Sequence, residues 1–263
     1  MTLLVEAPPG RHFAQFHRER DALVESVFTF LEAGLRRGNS VLVIAAPDQV
    51  GTLFDRLSAS KLHPKSLGNS GQLAVLHSDR ILEQLVADGL PEWTDFRSVL
   101  GPVISRLQPF GRGIRIYSEL ANTLWNAGNT EAGVRLEDFW NALGGAYPFA
   151  LYCGYMMDTH SEHAYAAPLE ELGRTHSEIL GTPEDEQFGI ALDRASKEIF
   201  GISLTQMAGV TRQDGARRFP SGQRTMLWVK RNLPMSTAQL VEKARQYFKL
   251  NGETNGGNGN GSA

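Results

Sequence analysis

The chain has 263 residues, 41% hydrophobic and 21% charged, with a formal net charge of −3, an ordinary globular composition suited to one large domain or a domain with an appendage. Its one cysteine, Cys153, excludes an intramolecular disulfide and fits a reducing compartment. The opening MTLLVEAPPGRHF lacks a charged region followed by a long apolar stretch, and no run approaches about 18 apolar residues, so a cytoplasmic protein without secretory signal or membrane span is expected.

His12 to Phe16 reads as a short strand after a Pro-Pro-Gly lead-in. Glu19 to Arg37 follows as an amphipathic helix, with Leu23, Val27, Phe30, Leu31 and Leu35 at helical spacing. Gly38-Asn39 should stop it as a left-handed C-cap. Val41 to Ala46 is a continuous apolar run, the pattern of a parallel strand covered on both faces. Pro47-Asp48 opens a helix to about Ser60, and Leu73 to His77 is the next strand. Ile81 to Ala87 and Phe96 to Leu107 read as helices, Ile114 to Tyr117 as a strand, Leu120 to Asn126 and Glu131 to Leu143 as helices, and Phe149 to Gly154 as a strand. This alternation predicts right-handed βαβ units. The expected fold is therefore a three-layer α/β domain: a mostly parallel sheet of about five or more strands with helices on both faces.

After Gly154 the texture changes. Ser161 to Leu180 is polar and mostly helical, and no alternating strand is visible. Pro183 to Gly201 is an amphipathic helix carrying Phe188, Leu192, Ala195, Ile199 and Phe200 on one face. Thr211 to Gly222 reads as a loop, with helices at Arg224 to Arg231 and Thr237 to Leu250. The domain plan is thus an α/β domain over 10–180, a helical C-terminal extension over 183–250, and a Gly/Asn-rich tail over 251–263 expected to be disordered.

In parallel α/β sheets ligands sit at the carboxyl ends of the strands. A phosphate-binding chain would place glycines and a lysine in the first of these turns. Here that turn reads QFHRERDALVES, with neither, so nucleotide hydrolysis lacks its cradle. A Gly-x-Ser-x-Gly elbow is absent. Asp158-x-His160-x-x-His163 is not a common zinc spacing, and a solvated helix start accounts for it equally well. Cys153, inside an apolar strand, reads as a buried inert thiol. Neither catalytic residues, a cofactor nor a metal is expected. Glu119, at a strand's carboxyl end, and Glu137, on a helix with Val134, Leu136, Phe139, Trp140 and Leu143, are the acids of interest, with surface or capping carboxylates as the plain alternative. Trp125 and Trp140 could line an apolar pocket or simply belong to the core.

The segment HFAQFHRERDALVESVFTFLEAGLRRGNSVLVIAAPD resembles the opening of the MEDS domain, the methanogen/methylotroph sensory domain named for the dichloromethane-responsive repressor DcmR. The matching features are a strand bearing His12, a helix ending in Gly34-Leu35-Arg36-Arg37-Gly38, and the apolar strand Val41 to Ala46. IRIYSELANTLWNAGNTEAGVRLEDFWNAL resembles the family's later signature, with Glu119, Trp125, Glu137 and Asn141; FALYCGY and the downstream Thr175-His176 resemble its close. The likeness spans about residues 10 to 180. It implies a fold like that of RecA/KaiC ATPases without the Walker lysine, and a non-enzymatic sensing role in prokaryotic signal transduction or transcription control. The implied ligand-binding set is His12, Glu119, Trp125 and Glu137, expected together at the carboxyl edge of the sheet or its adjoining helices.

The expected partner is a small-molecule ligand or a regulatory protein, with no membrane, and a homodimer is compatible with the sequence. Two rivals stand beside this reading: a KaiC/RecA-like nucleotide-binding ATPase and a pure protein-interaction module. The extension adds a charge asymmetry. From Arg212 to Lys249 there are nine basic and two acidic residues, a formal +7, leaving −10 for the rest of the chain. Nucleic acid binding through 212–249, with Trp228, Tyr247 and Phe248 stacking on bases, is the lesser alternative to packing within the chain or across a dimer.

Overall fold

The computed structural model describes residues 2–86, 89–107, 113–210 and 216–255. The chain divides into two compact units, Met1–Met157 with Thr175–Glu178, and Asp158–Arg174 with Ile179–Ala263.

The first unit runs α1 (Thr2–Glu6), β1 (His12–His17), α2 (Arg20–Arg36), β2 (Ser40–Ala45), α3 (Pro47–Ala59), α4 (Pro64–Asn69), β3 (Leu73–His77), α5 (Ser78–Leu85), α6 (Trp93–Leu107), β4 (Ile114–Ser118), α7 (Leu120–Asn126), α8 (Thr130–Ala146) and β5 (Phe149–Met156). With β6 (Glu178–Leu180) these strands make a six-stranded sheet in the order β3-β2-β4-β5-β1-β6. The pairings β3–β2, β2–β4, β4–β5 and β5–β1 are all parallel. β2 is buried along its whole length, as a strand covered on both faces must be. The sheet's two faces can be told apart from β5. Tyr152 and Gly154 meet Phe30 and Leu23 of α2, while Cys153 and Tyr155 turn to Glu137 of α8. Three layers result, as the alternation of elements predicts.

The Gly-Leu-x-x-Gly stretch closing α2 has a physical cause at each end. Gly38 sits at φ 77°, and the N–H groups of Gly38 and Asn39 donate to the carbonyls of Leu35 and Gly34, a Schellman closure. Gly34 makes room for Arg115 of β4: a Cβ there would lie 2.5 Å from Arg115 Cδ. The Arg115 guanidinium is buried and donates to the carbonyls of Leu4, Val5, Glu6 and Phe30 and to Asn39 Oδ1, so it ties β4 to the end of α1 and to α2. Burial and the nearby Arg37 lower its pKa to about 10, which leaves it charged at neutral pH.

The second unit holds a 3₁₀ turn at Glu162–Tyr165, then α9 (Leu169–Thr175, its last residue in the first unit), α10 (Pro183–Phe200), α11 (Leu204–Val210), a 3₁₀ turn at Ala216–Arg218, α12 (Ser221–Asn232), a 3₁₀ turn at Pro234–Ser236 and α13 (Thr237–Asn255). α10 packs against α11, α12 and α13. Phe188, Leu192, Ala195, Met226, Val229, Leu240 and Ala244 are buried in this unit. Among the described residues no helix is long and apolar enough to cross a membrane.

Three readings need correction. Ser161 to Leu180, expected to be polar and mostly helical with no strand, contains Glu178–Leu180 as the sixth strand. The short helices α1, α4 and α11 are not among the expected elements. Helix α13 runs on to Asn255, so 251–255 are helical rather than tail, and residues 256–263 lie outside the described set. Ala87 and residues 211–215, read as a helix end and part of a loop, also lie outside it.

Candidate functional site

The site is built where α8 crosses β5 and β1. β1 begins at His12, whose side chain faces α8. There its Nδ1 donates to Asn141 Oδ1 at 3.0 Å. The Asn141 amide cannot be turned the other way, because its Nδ2 donates to the Thr175 carbonyl at 2.7 Å, and a carbonyl accepts only from N–H or O–H. The His12 Nδ1 therefore carries a proton, and Nε2 faces inward, 3.1 Å from Glu137 Oε2 and 3.4 Å from Cys153 Sγ. On the opposite side His176 places Nε2 3.6 Å from Glu137 Oε1, while its Nδ1 lies 3.1 Å from Thr175 Oγ1. The two imidazole rings stand 4.0 Å apart, centroid to centroid. Cys153 donates to Glu137 Oε2 at 3.5 Å, and the Tyr155 hydroxyl donates to Oε1. One ligand atom from each of His12, Glu137, Cys153 and His176 lies within 4.8 Å of the others, and all four residues are buried.

Electrostatics follow from that packing. Burial alone would raise the Glu137 carboxyl. His176 and His12 and the Tyr155 hydroxyl outweigh it and hold the group down to about 2, so it is an anion in the core. The same anion, added to burial, pushes the Cys153 thiol and the Tyr155 phenol well above their ordinary values. A cavity of about 270 Å³ borders the cluster at His12 and Asn141, with Arg11, Trp140, Phe149 and Leu151 in its wall. Trp140 is buried edge-on against Phe96 and Phe149, and its indole N–H has no hydrogen-bond acceptor among the described residues.

Of the four residues expected to share a site, the structure joins His12 and Glu137. Trp125 stands one ring away, edge-on to Tyr155 at 6.3 Å. Glu119 stands apart. Its Oε1 accepts from the Ala46 N–H and from Ser78 Oγ, so it staples the ends of β2 and β4 to the start of α5. Burial raises the Glu119 carboxyl despite these two donors. The expectation of one shared site at the carboxyl edge of the sheet or its adjoining helices is thus corrected at Glu119, which bonds to Ala46 and Ser78 instead, while the cluster itself lies under the adjoining helix α8. Cys153 and His176 are its additional members. Cys153 is buried as expected, but its thiol faces a carboxylate and an imidazole rather than an inert wall. In the sequence no spacing joins positions 12, 137, 153 and 176; Thr175-His176 stood out through family resemblance alone.

The Asp158, His160 and His163 stretch does not converge. His160 bonds to Asp185 and stacks on Phe188, while His163 bonds to Ser161.

The model of the MEDS family, the methanogen/methylotroph, DcmR sensory domain, matches residues 11–177. This chain belongs to the MEDS family. The match begins one residue before His12 and ends one residue after His176, so the cluster spans the length of the MEDS domain. A sensory or regulatory role follows at the level of the family. No curated protein matches the chain.

Proposed function

We propose that this protein is a non-enzymatic sensory or regulatory protein of prokaryotic signal transduction or transcription control, acting in the cytoplasm. On this reading the MEDS domain takes up a small ligand and the helical unit passes the result to a protein partner. The observation that carries it is the cavity walled by Trp140 and His12 beside a buried polar cluster. Ligand sites combine apolar walls with a few polar groups, and this cavity sets Trp140, Phe149 and Leu151 beside His12 and Asn141.

Nucleotide hydrolysis is disfavoured by the turn from β1 to α2. It holds no glycine or lysine, its Glu19 N-cap is extended, and Arg20 is paired with Asp48. No loop of backbone N–H groups is available there to cradle a phosphate. For the helical unit, a protein partner is favoured over nucleic acid because three of the nine basic residues of 212–249 have acidic neighbours of their own. Arg231, Lys243 and Arg245 pair with Glu170, Glu198 and Asp158. Tyr247 lies under Arg194, and Phe248 packs edge-on against His160 and Phe188.

Equilibrium dialysis and a turnover assay with magnesium and ATP test the non-enzymatic reading. The expected outcome is neither tight binding nor turnover above background. ATP turnover that disappears on Glu119→Gln overturns it.

A further inference from the structure

We propose that His12, Glu137, Cys153 and His176 form a binding site for one divalent transition-metal ion of the zinc class. Zinc holds imidazole nitrogen and carboxylate oxygen at about 2.0–2.2 Å and thiolate sulfur at about 2.3 Å, which in a tetrahedron sets ligand atoms about 3.3–3.8 Å apart. The separations in the cluster are 3.1 Å for His12 to Glu137, 3.4 Å for His12 to Cys153, 3.5 Å for Cys153 to Glu137 and 3.6 Å for His176 to Glu137. Three of these separations fall at that spacing and the fourth is slightly shorter; His12 and Cys153 approach Glu137 Oε2 while His176 approaches Oε1, and one ligand atom from each residue lies within 4.8 Å of the others before any ion is considered.

The surrounding shell supports the same assignment. A ligating histidine characteristically gives its other ring N–H to a carbonyl or carboxylate, which fixes the tautomer and the ring direction. Asn141 does this for His12, and Thr175 carries the Asn141 amide in turn. Tyr155 donates to Glu137 from the side, orienting the carboxylate. Charge agrees as well. A divalent ion with one carboxylate, one thiolate and two neutral imidazoles is neutral overall, the condition under which buried charge is tolerated. Binding deprotonates the thiol, so one proton leaves Cys153 as the metal–sulfur bond forms. A mixed set of imidazole, thiolate and carboxylate suits zinc, cobalt or ferrous iron better than calcium or magnesium, which prefer all-oxygen shells.

The four ligands come from β1, α8, β5 and the Thr175–Glu178 segment, so a bound ion would clamp two strands and a covering helix of the MEDS domain to that segment. His12 also borders the cavity. This proposal stands on the cluster itself and does not depend on the sensory reading.

The test uses the full chain, stripped with a chelator and titrated with Co²⁺ and then Zn²⁺. The expected result is one Co²⁺ per chain, with the visible bands of tetrahedral cobalt and a near-ultraviolet thiolate-to-cobalt band, both removed by one equivalent of Zn²⁺. Because the chain holds a single cysteine, that charge-transfer band reports Cys153 and nothing else. Cys153→Ser should abolish it with the far-ultraviolet circular dichroism unchanged. Asn141→Ala, at an exposed position of α8, should leave the fold intact and weaken Co²⁺ binding about 10-fold or more. If wild-type chain takes up no Co²⁺ at stoichiometric concentration, or takes it up without a thiolate band, the proposal is overturned.

Discussion

Gly34 and Arg115 show how a two-glycine motif works at the scale of single residues. A methyl group at position 34 would sit 2.5 Å from Arg115 Cδ, and the guanidinium cannot retreat because five acceptors hold it. Replacing a helical glycine by alanine ordinarily gains about 1 kcal/mol. Overpacking a filled site costs about 1–3 kcal/mol, and here the anchored arginine puts the cost at the upper end. Gly34→Ala is therefore expected to destabilise the domain by about 1–2 kcal/mol, seen as a lower urea midpoint; a raised midpoint would show that Arg115 yields. The two buried glutamates illustrate a second point. Glu119 and Glu137 both lose solvent, yet burial wins at Glu119 and two imidazoles win at Glu137. Sequence position made both candidates, but their roles depend on the groups that other elements bring to them, which spacing along the chain does not reveal.

At the scale of the element, the start of α10 carries a test. Thr182 and Asp185 form a capping box, and Asp185 also accepts from His160 and from Gln223. Burial opposes ionisation of Asp185, but His160 and the Thr182 donors prevail and lower its pKa. A folded-state pKa below the unfolded value gives stability that is present above about 3.8 and is lost as pH falls through the lowered folded value. Acid unfolding of the helical unit should therefore gain its steep phase below pH 4, followed by circular dichroism. Asp185→Ala should flatten that phase and cost on the order of 2–3 kcal/mol at neutral pH by leaving buried donors unpaired; an unchanged acid profile would remove Asp185 from this role. Long apolar periodicity makes α2 legible to within one residue at each end, and the short β3 and α7 also match their expected bounds residue for residue. β6 escaped because three residues cannot display alternation, and a strand that short is held by its neighbour rather than by its own pattern.

At the scale of the whole molecule, the α/β class and parallel sheet were readable because alternating strands and helices admit few other solutions. The cluster was only half readable. Glu137 stands out on its helix and His12 and His176 through resemblance, whereas Cys153 reads only as a buried thiol, and the four meet only once β5 lies beside β1 and the chain returns at Thr175–Glu178. On the proposed reading the MEDS domain holds a small ligand and does not turn over a nucleotide. The mass of the chain purified from its own host, measured under native and then denaturing conditions, tests this most directly. The account predicts a native mass exceeding the denatured one by a small non-nucleotide component. A chain that carries a nucleotide with magnesium contradicts it.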